Sequence, residues 1–402
     1  MRVKRYAASL AAVALVALGL GPAEAFAAQA DHGFQAATGT APYRIEASFD
    51  SPGATRGASV HAAPDAQELA CAGTPDGQWQ LDRFHGCWHA GLTYTARDIR
   101  TGVPVGWAHI TITQDFQLAN NRTTWAETDT LHMDSAEGVV AAGLSATWTA
   151  GCNSNCQATQ PAPFAPGTWV TPGQTVTGTA EFSNPQGRGG IDHFAPGYTL
   201  EMLSPGSLGD APAVWATPQL RCDFQVGRSA GCVVPEVVPT FEVDSGANPV
   251  AAFGIRWAQQ NLATHPGLAG AGEPLHRLAK RSQQRSNRNI VCGTRWFPDL
   301  LTVPTDSCDE YPFAATREGG SMPGPECAEL KPHVNLLSWP WEVQTGPDGQ
   351  PIADVVHAPA PNTTCARVHV PLGQNTDIGG DLGRFATAQR LVDNDPYWVS
   401  AA

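Results

Sequence analysis

Between Cys71 and about residue 241, apolar and β-branched residues come in short runs interleaved with polar ones, as in residues 92–96, 107–114, 123–131 and 140–149. A period of two puts one set of side chains on one face of a strand. Turn-forming pairs punctuate the runs: Thr101-Gly102, Asn120-Asn121, Pro172-Gly173 and Asn184-Pro185. The pattern predicts an all-β, sandwich-like domain over residues 71–245. Beyond Val238-Pro239 the period changes. Residues 248–263 (NPVAAFGIRWAQQNLA) place Ala251, Ile255, Ala258 and Leu262 on one helical face, with Asp244 or Ser245 near the start. A second helical stretch is expected from Glu273 to about Gln284. The chain is therefore expected to be α+β, with a boundary near residue 245 and a second domain over 246–402.

The first residues have a different pattern. Arg2, Lys4 and Arg5 precede an apolar run over residues 7–20, and small residues follow, with Ala23-Glu24-Ala25 ahead of Phe26. A bilayer span needs roughly 20 apolar residues, so the run fits an export signal over 1–25, cut before Phe26 or near Ala28 or Ala30, rather than an anchor or a buried helix. Residues 26–70, rich in Ala, Gly, Ser, Pro and Asp, predict a flexible leader. With no other long apolar stretch, the mature chain is expected to be secreted and without stable membrane association.

Cysteines agree with export. There are ten, at 71, 87, 152, 156, 222, 232, 292, 308, 327 and 365. An even count in an exported chain reads as disulfides, and zinc is disfavoured because no Cys-x2-Cys pair occurs. Six precede residue 245 and four follow it, so each domain can pair its own. The 41 glycines and 33 prolines favour turns and strands over long helices. A net charge of −13 excludes a nonspecific nucleic-acid coat protein but leaves a local basic site open. Such a site exists in the pattern: Arg277, Lys280, Arg281, Arg285, Arg288 and Arg295 lie between Glu273 and Asp299 with no acid among them. The run reads as a solvated helix face or as a phosphate-binding surface.

Just downstream lies the most chemically loaded segment, Ser307-Cys308-Asp309-Glu310-Tyr311-Pro312-Phe313-Ala314-Ala315-Thr316-Arg317-Glu318-Gly319-Gly320. Three carboxylates fall within ten residues. Phosphodiester hydrolysis needs a base for water and a cation for the phosphate oxygens, and hard cations prefer oxygen ligands. On composition alone, a surface turn with solvated acids explains the segment as well. His333, His357 and His369 lie farther along and read as a base or ligand, or as satisfied polar histidines. His85-Gly86-Cys87-Trp88-His89 looks metal-like, although a packed Trp beside a disulfide accounts for it equally.

Cys308-Asp309-Glu310-Tyr311-Pro312-Phe313-Ala314 with Glu318-Gly319-Gly320, and a second block Val370-Pro371-Leu372-Gly373-Gln374-Asn375 with Gly379-Gly380 and Asp395-Pro396-Tyr397-Trp398-Val399, resemble the signature of the NucA/NucB-type deoxyribonuclease domain of small secreted bacterial nucleases. The resemblance covers residues 285–402 and says nothing of the β-rich half. It implies a ββα-metal nuclease fold, with a short helix over about 381–392 and a last strand. It also implies Asp309 as general base, and Glu310, Glu318 and Asn375 as groups holding or orienting a divalent cation (Mg2+ or Mn2+, with Ca2+ an alternative). Arg281, Arg285, Arg288, Arg295 and Arg317 would hold the phosphates of DNA, with little sequence preference. The stretch from Gly320 to Val370 is long for this family and carries Cys327, Cys365 and Trp339-Pro340-Trp341, whose indoles either stack on bases or pack. The competing expectation is a secreted binding or structural protein, its β-rich domain gripping carbohydrate or a cell surface, with an inactive nuclease-like tail. A third combines the two, the β-rich domain delivering or restraining the nuclease.

Overall fold

The computed structural model describes residues 42–51, 61–62, 76–293, 296–320 and 326–401. The expected export signal, most of the expected leader and Arg295 lie outside these residues. The chain is a strand-rich α+β protein with several sheets.

All the described helices and strands up to residue 242 are strands. The leader expectation needs correcting at one place: Tyr43–Phe49 (β1) is a strand, paired antiparallel along its length with His85–Asp98 (β2). Strands β2, Pro104–Gln117 (β3) and Thr124–Gly138 (β4) form the long antiparallel centre of the largest sheet, joined on the far side by Thr175–Ser183 (β5). Their burial alternates residue by residue; along β3, Ala108, Ile110, Ile112, Gln114 and Phe116 point inward. Leu144–Cys152 (β6), Pro196–Leu203 (β7) and Ala213–Ala216 (β8) belong to a second sheet. The two sheets share one core. Trp215 of β8 stacks on Trp88 of β2 (5.7 Å) and on Tyr198 of β7 (5.4 Å), and meets Trp148 of β6 edge-on (5.1 Å). Each such aromatic pair adds about 0.5–1.5 kcal/mol beyond area burial. The His85–His89 motif is accounted for here: Trp88 is fully buried, Cys87 is disulfide-bonded and His85 pairs with Asp115.

A second core begins at Phe241 and includes Val243. Pro249–Asn261 (α1) is the predicted helix, burying Ala251, Ile255 and Ala258, with Pro at its start. Gly254 lies against Val368; a Cβ there would sit 2.7 Å from a Val368 methyl, so only glycine lets helix and sheet approach this closely. The second helix lies later than predicted. Leu275–His276 is a short strand, and the helix runs over Arg281–Cys292 (α2). Strands Asp306–Tyr311 (β9), Ala328–Pro332 (β10), Ala353–His357 (β11) and Ala366–Pro371 (β12) form a sheet in the order β9-β12-β10-β11. The last helix is Leu372–Ala388 (α3), not 381–392; it starts directly off β12, and the chain ends in Pro396–Ser400 (β13). Glycine content hides this helix, because Gly373, Gly379, Gly380 and Gly383 weaken its sequence signature.

Disulfides Cys152–Cys156 and Cys222–Cys232 lie in the first unit, and Cys292–Cys308 and Cys327–Cys365 in the second. None of these four links a cysteine before residue 245 to one after it, a pairing the cysteine counts allow. No helix among the described residues is long and apolar enough to cross a membrane.

The first core also buries two acids. Glu127 and Asp129 lie two residues apart on the inner face of β4. Glu127 accepts from the Tyr198 hydroxyl and, at 3.4 Å, from Trp125 Nε1. Asp129 accepts from Gln114 Nε2 at 2.9 Å, while its second oxygen is buried without a partner. Burial pushes both carboxyls up, and Asp129 raises Glu127 further. The folded state therefore holds protons that the unfolded chain releases above about pH 4, so stability is full in acid and is lost as pH rises through the folded-state values. Denaturant unfolding at pH 5 and pH 9 should show the wild type losing more stability than the Glu127→Gln, Asp129→Asn double variant. Equal losses would mean the pair is charged and fully satisfied.

Candidate active site

Strand β9 is the edge of its sheet and carries the acidic motif. Alternation sends Cys308 and Glu310 to one face and Ser307, Asp309 and Tyr311 to the other. On the first face the Cys292–Cys308 disulfide ties the strand to α2, and Arg288 Nε of α2 donates to Glu310 at 3.1 Å. Opposite, Tyr311 enters the second core and donates to the Pro266 carbonyl at 2.7 Å.

Asn375, in the first turn of α3, closes the arrangement from 66 residues farther along the chain. Its Nδ2 donates to the Cys308 carbonyl at 2.9 Å and to Ser307 Oγ at 3.1 Å; Ser307 in turn donates to the Val370 carbonyl at 2.8 Å. Both amide protons are thus spent on holding the backbone beside Asp309. Among the described residues no donor is recorded on Oδ1, which leaves a neutral hard oxygen of the kind that suits Mg2+ or Mn2+. Mg2+ is usually bound through one or two carboxylates, with waters and substrate phosphates completing its shell; the oxygens on hand are this amide and the Asp309 carboxyl next along the strand.

Asp309 is 8% exposed. Burial, and secondly the neighbouring Glu310 charge, push its carboxyl up to about 8, against the opposing pull of Arg288. Glu310 is raised as well, by burial, with Arg288 again opposing. Groups poised near the working pH are suited to proton transfer.

The other expected ligands are held elsewhere. Glu310 is engaged by Arg288 on the α2 face. Glu318 accepts from His276 through both oxygens, from Nδ1 at 2.7 Å and from the backbone N–H at 2.9 Å, and so fastens the loop after β9 to the Leu275–His276 strand. Among the described residues no group of three or more His, Cys, Asp or Glu is spaced to hold a metal ion. The structure thus brings Asn375 to the backbone one residue before Asp309, while Glu310 and Glu318 are engaged by Arg288 and His276. The motif's Gly319-Gly320 has a packing reason: a Cβ on Gly319 would meet the Phe313 carbonyl at 2.4 Å, and Gly320 adopts φ +36° against Asn287. Arg281, Arg285 and Arg288 recur at i, i+4 and i+7 along α2 with exposed side chains. Arg317 is half-exposed and pairs with Asp393.

Two features escaped the sequence reading. Gln374 is one. The N-cap of α1, Asn248, makes no side-chain cap, and Gln374 Oε1 instead accepts from the Val250 and Ala251 N–H groups (2.9 and 3.3 Å), while its Nε2 donates to the Trp341 carbonyl at 2.8 Å. An uncapped helix start needs such a partner, but sequence does not say which residue supplies it. The second is a buried chain on the α2 face, in which His369 lies between Asp306 (2.6 Å) and Glu329 (3.2 Å), with Arg367 also on Glu329. Burial alone lowers the imidazole, but the hydrogen bond and charge of Asp306, with Glu329, outweigh it and raise it. His333 and His357 also have carboxylate partners, Asp354 and Glu329, so all three histidines fit the reading as satisfied polar residues.

Comparison with known protein families, with curated proteins and with solved structures finds no match to this chain.

The buried Asp309 carboxyl carries a stability consequence whatever the activity. Its folded-state value lies above the unfolded one, so its contribution is full below about pH 4 and is lost as pH climbs through about 8. In EDTA, Asp309→Asn should match the wild type near pH 4 and exceed it at pH 9. A variant less stable than wild type at pH 9 would mean that the carboxylate is solvated or paired.

Proposed function

We propose that residues 246–402 form a divalent-metal-dependent deoxyribonuclease of the NucA/NucB type within an exported protein, cutting DNA with little sequence preference. The observation that carries this reading is the Asn375 clamp on the Cys308 carbonyl, which brings this amide to the backbone one residue before Asp309. The antiparallel β9–β12 pair running straight into α3 is the order of elements expected of a ββα-metal site. The four disulfides fit an oxidising compartment.

In this mechanism Asn375 Oδ1 would hold the cation. When bound, the cation offsets charge on the phosphate and on the departing oxygen. Asp309, ionised, takes a proton from a water as that water's oxygen bonds to phosphorus; the bond from phosphorus to the leaving oxygen breaks in line. The desolvated position of Asp309 makes its carboxylate a stronger base than an exposed one. Arg281, Arg285 and Arg288 offer a sequence-independent, salt-sensitive grip on the phosphates, with Arg317 beside them in the scheme. Glu310 orients Arg288 rather than the cation, and Glu318 keeps the loop after β9 in place. No ligand is assigned to the β-rich unit.

Plasmid digestion tests the proposal. Wild-type protein with Mg2+ or Mn2+ should nick and linearise plasmid and stop in EDTA. Asp309→Asn should lose about 10²–10⁴-fold in rate, the usual worth of a positioned base, and Asn375→Ala should need much higher cation concentrations. Cutting by Asp309→Asn at the wild-type rate would overturn the assignment.

A further inference from the structure

The insertion between the two motif blocks carries an aromatic feature, tied to the first turn of α3, that the mechanism above does not use. Val334–Asn335 and Glu342–Val343 pair as a small antiparallel ladder, and residues 336–341 form its tip. That tip is braced from within: Leu337 N–H donates to Asn335 Oδ1 (3.0 Å), Ser338 Oγ donates to the Asn335 carbonyl (3.0 Å), and Glu342 N–H donates to Ser338 Oγ (2.9 Å). Trp341 packs partly against the second core, and its carbonyl is held by Gln374, the residue preceding Asn375. Trp339 meets Trp341 edge-on at 5.4 Å and is itself 83% exposed.

An indole held out into water on a braced tip forgoes the burial that normally secures such a ring. Its neighbour Trp341 meets it at a steep angle, 79°, and most of the Trp339 indole is left uncovered. The bond from Gln374 to the Trp341 carbonyl ties the tip, two residues from Trp339, to the first turn of α3, which also carries Asn375. Flat π-faces offered next to a phosphate-cleaving site match one chemistry well, the face of an unpaired nucleobase, which stacks on Trp irrespective of base identity. In a duplex the bases already stack on each other, so a ring of this kind acts on single-stranded or opened substrate.

We infer that Trp339 is a stacking platform for an unpaired nucleobase of the substrate and biases the enzyme toward single-stranded nucleic acid. The inference rests on the nuclease reading for its placement, and it is separable from that reading by experiment. Binding of labelled oligo-dT and of a fully paired duplex is measured in EDTA, without cleavage, for wild type, Trp339→Ala and Trp339→Phe. Trp339→Ala should bind oligo-dT about tenfold more weakly, within the range found when one base–aromatic stack is removed. Trp339→Phe should stay within about threefold of wild type by the same stacking argument, and duplex affinity should not change. The inference is overturned if wild type does not bind oligo-dT, if Trp339→Ala binds it as tightly as wild type, or if single strand and duplex weaken equally. It is also overturned if Trp339→Ala instead loses binding to phosphatidylcholine vesicles that the wild type holds, since the exposed Leu336 and Leu337 beside it would then serve a lipid surface. Wild type that binds oligo-dT through Trp339 yet cuts no DNA would sink the nuclease reading alone.

Discussion

Strand β9 is held at Cys308 from both sides, and the site depends on that hold. The Cys292–Cys308 disulfide fixes the side chain to α2, and the Asn375 amide fixes the carbonyl to α3. An edge strand ordinarily leaves a row of backbone groups open to water or to other chains; here a helix start covers part of that row. The same clamp leaves Asn375 a free oxygen and keeps Asp309 in a place where burial favours its proton. Removing the clamp would let the strand edge hydrate, and the carboxyl would return toward an ordinary acid.

The two units are joined by charge as well as by chain. Arg221 places Nη1 on both oxygens of Asp395 (2.9 and 2.8 Å), Arg83 reaches the same carboxylate, and Arg390 donates to Asp223 and to the Asn120 and Ser229 carbonyls. All three arginines are almost fully buried, and burial together with Arg221 pulls Arg83 down to about 10 despite Asp395. Buried charge of this kind is costly to leave unpaired, so each unit completes the other's ion pairs. Thr240–Glu242, where the second core begins, pairs parallel with β13 within the second unit. The β-rich unit is thereby a neighbour of the end of α3, two residues beyond which lies Arg390.

Much of the architecture was legible because alternation and helical period are local signals. The runs at 107–114 and 123–131 became β3 and β4, and Ala251, Ile255 and Ala258 became the buried face of α1. The cysteine parity about the boundary was equally readable. What failed had local signals that misled: the basic, polar text before residue 281 reads as helix but turns at a short strand, and the glycines of α3 disguise a 17-residue helix. At the site, Asp309 and Asn375 were singled out by motif, and Asn375 reaches the strand at the Cys308 carbonyl, one residue before Asp309. Glu318 shares the motif but is drawn off by His276, and no pattern in the sequence announces that partner. Gln374 was invisible for a similar reason, since a helix cap supplied from 123 and 124 residues away leaves no local trace.

The central claim is that the free oxygen of Asn375 and the carboxyl of Asp309 define one cation site at the edge of β9. Anomalous diffraction from crystals soaked in Mn2+ tests it most directly. The account predicts a single strong peak at coordination distance, about 2.0–2.2 Å for such a hard cation, from Asn375 Oδ1, and its absence in Asn375→Ala crystals. A peak instead at Glu318 or at the Asp306–His369–Glu329 chain, or no peak in the second unit at all, would contradict it.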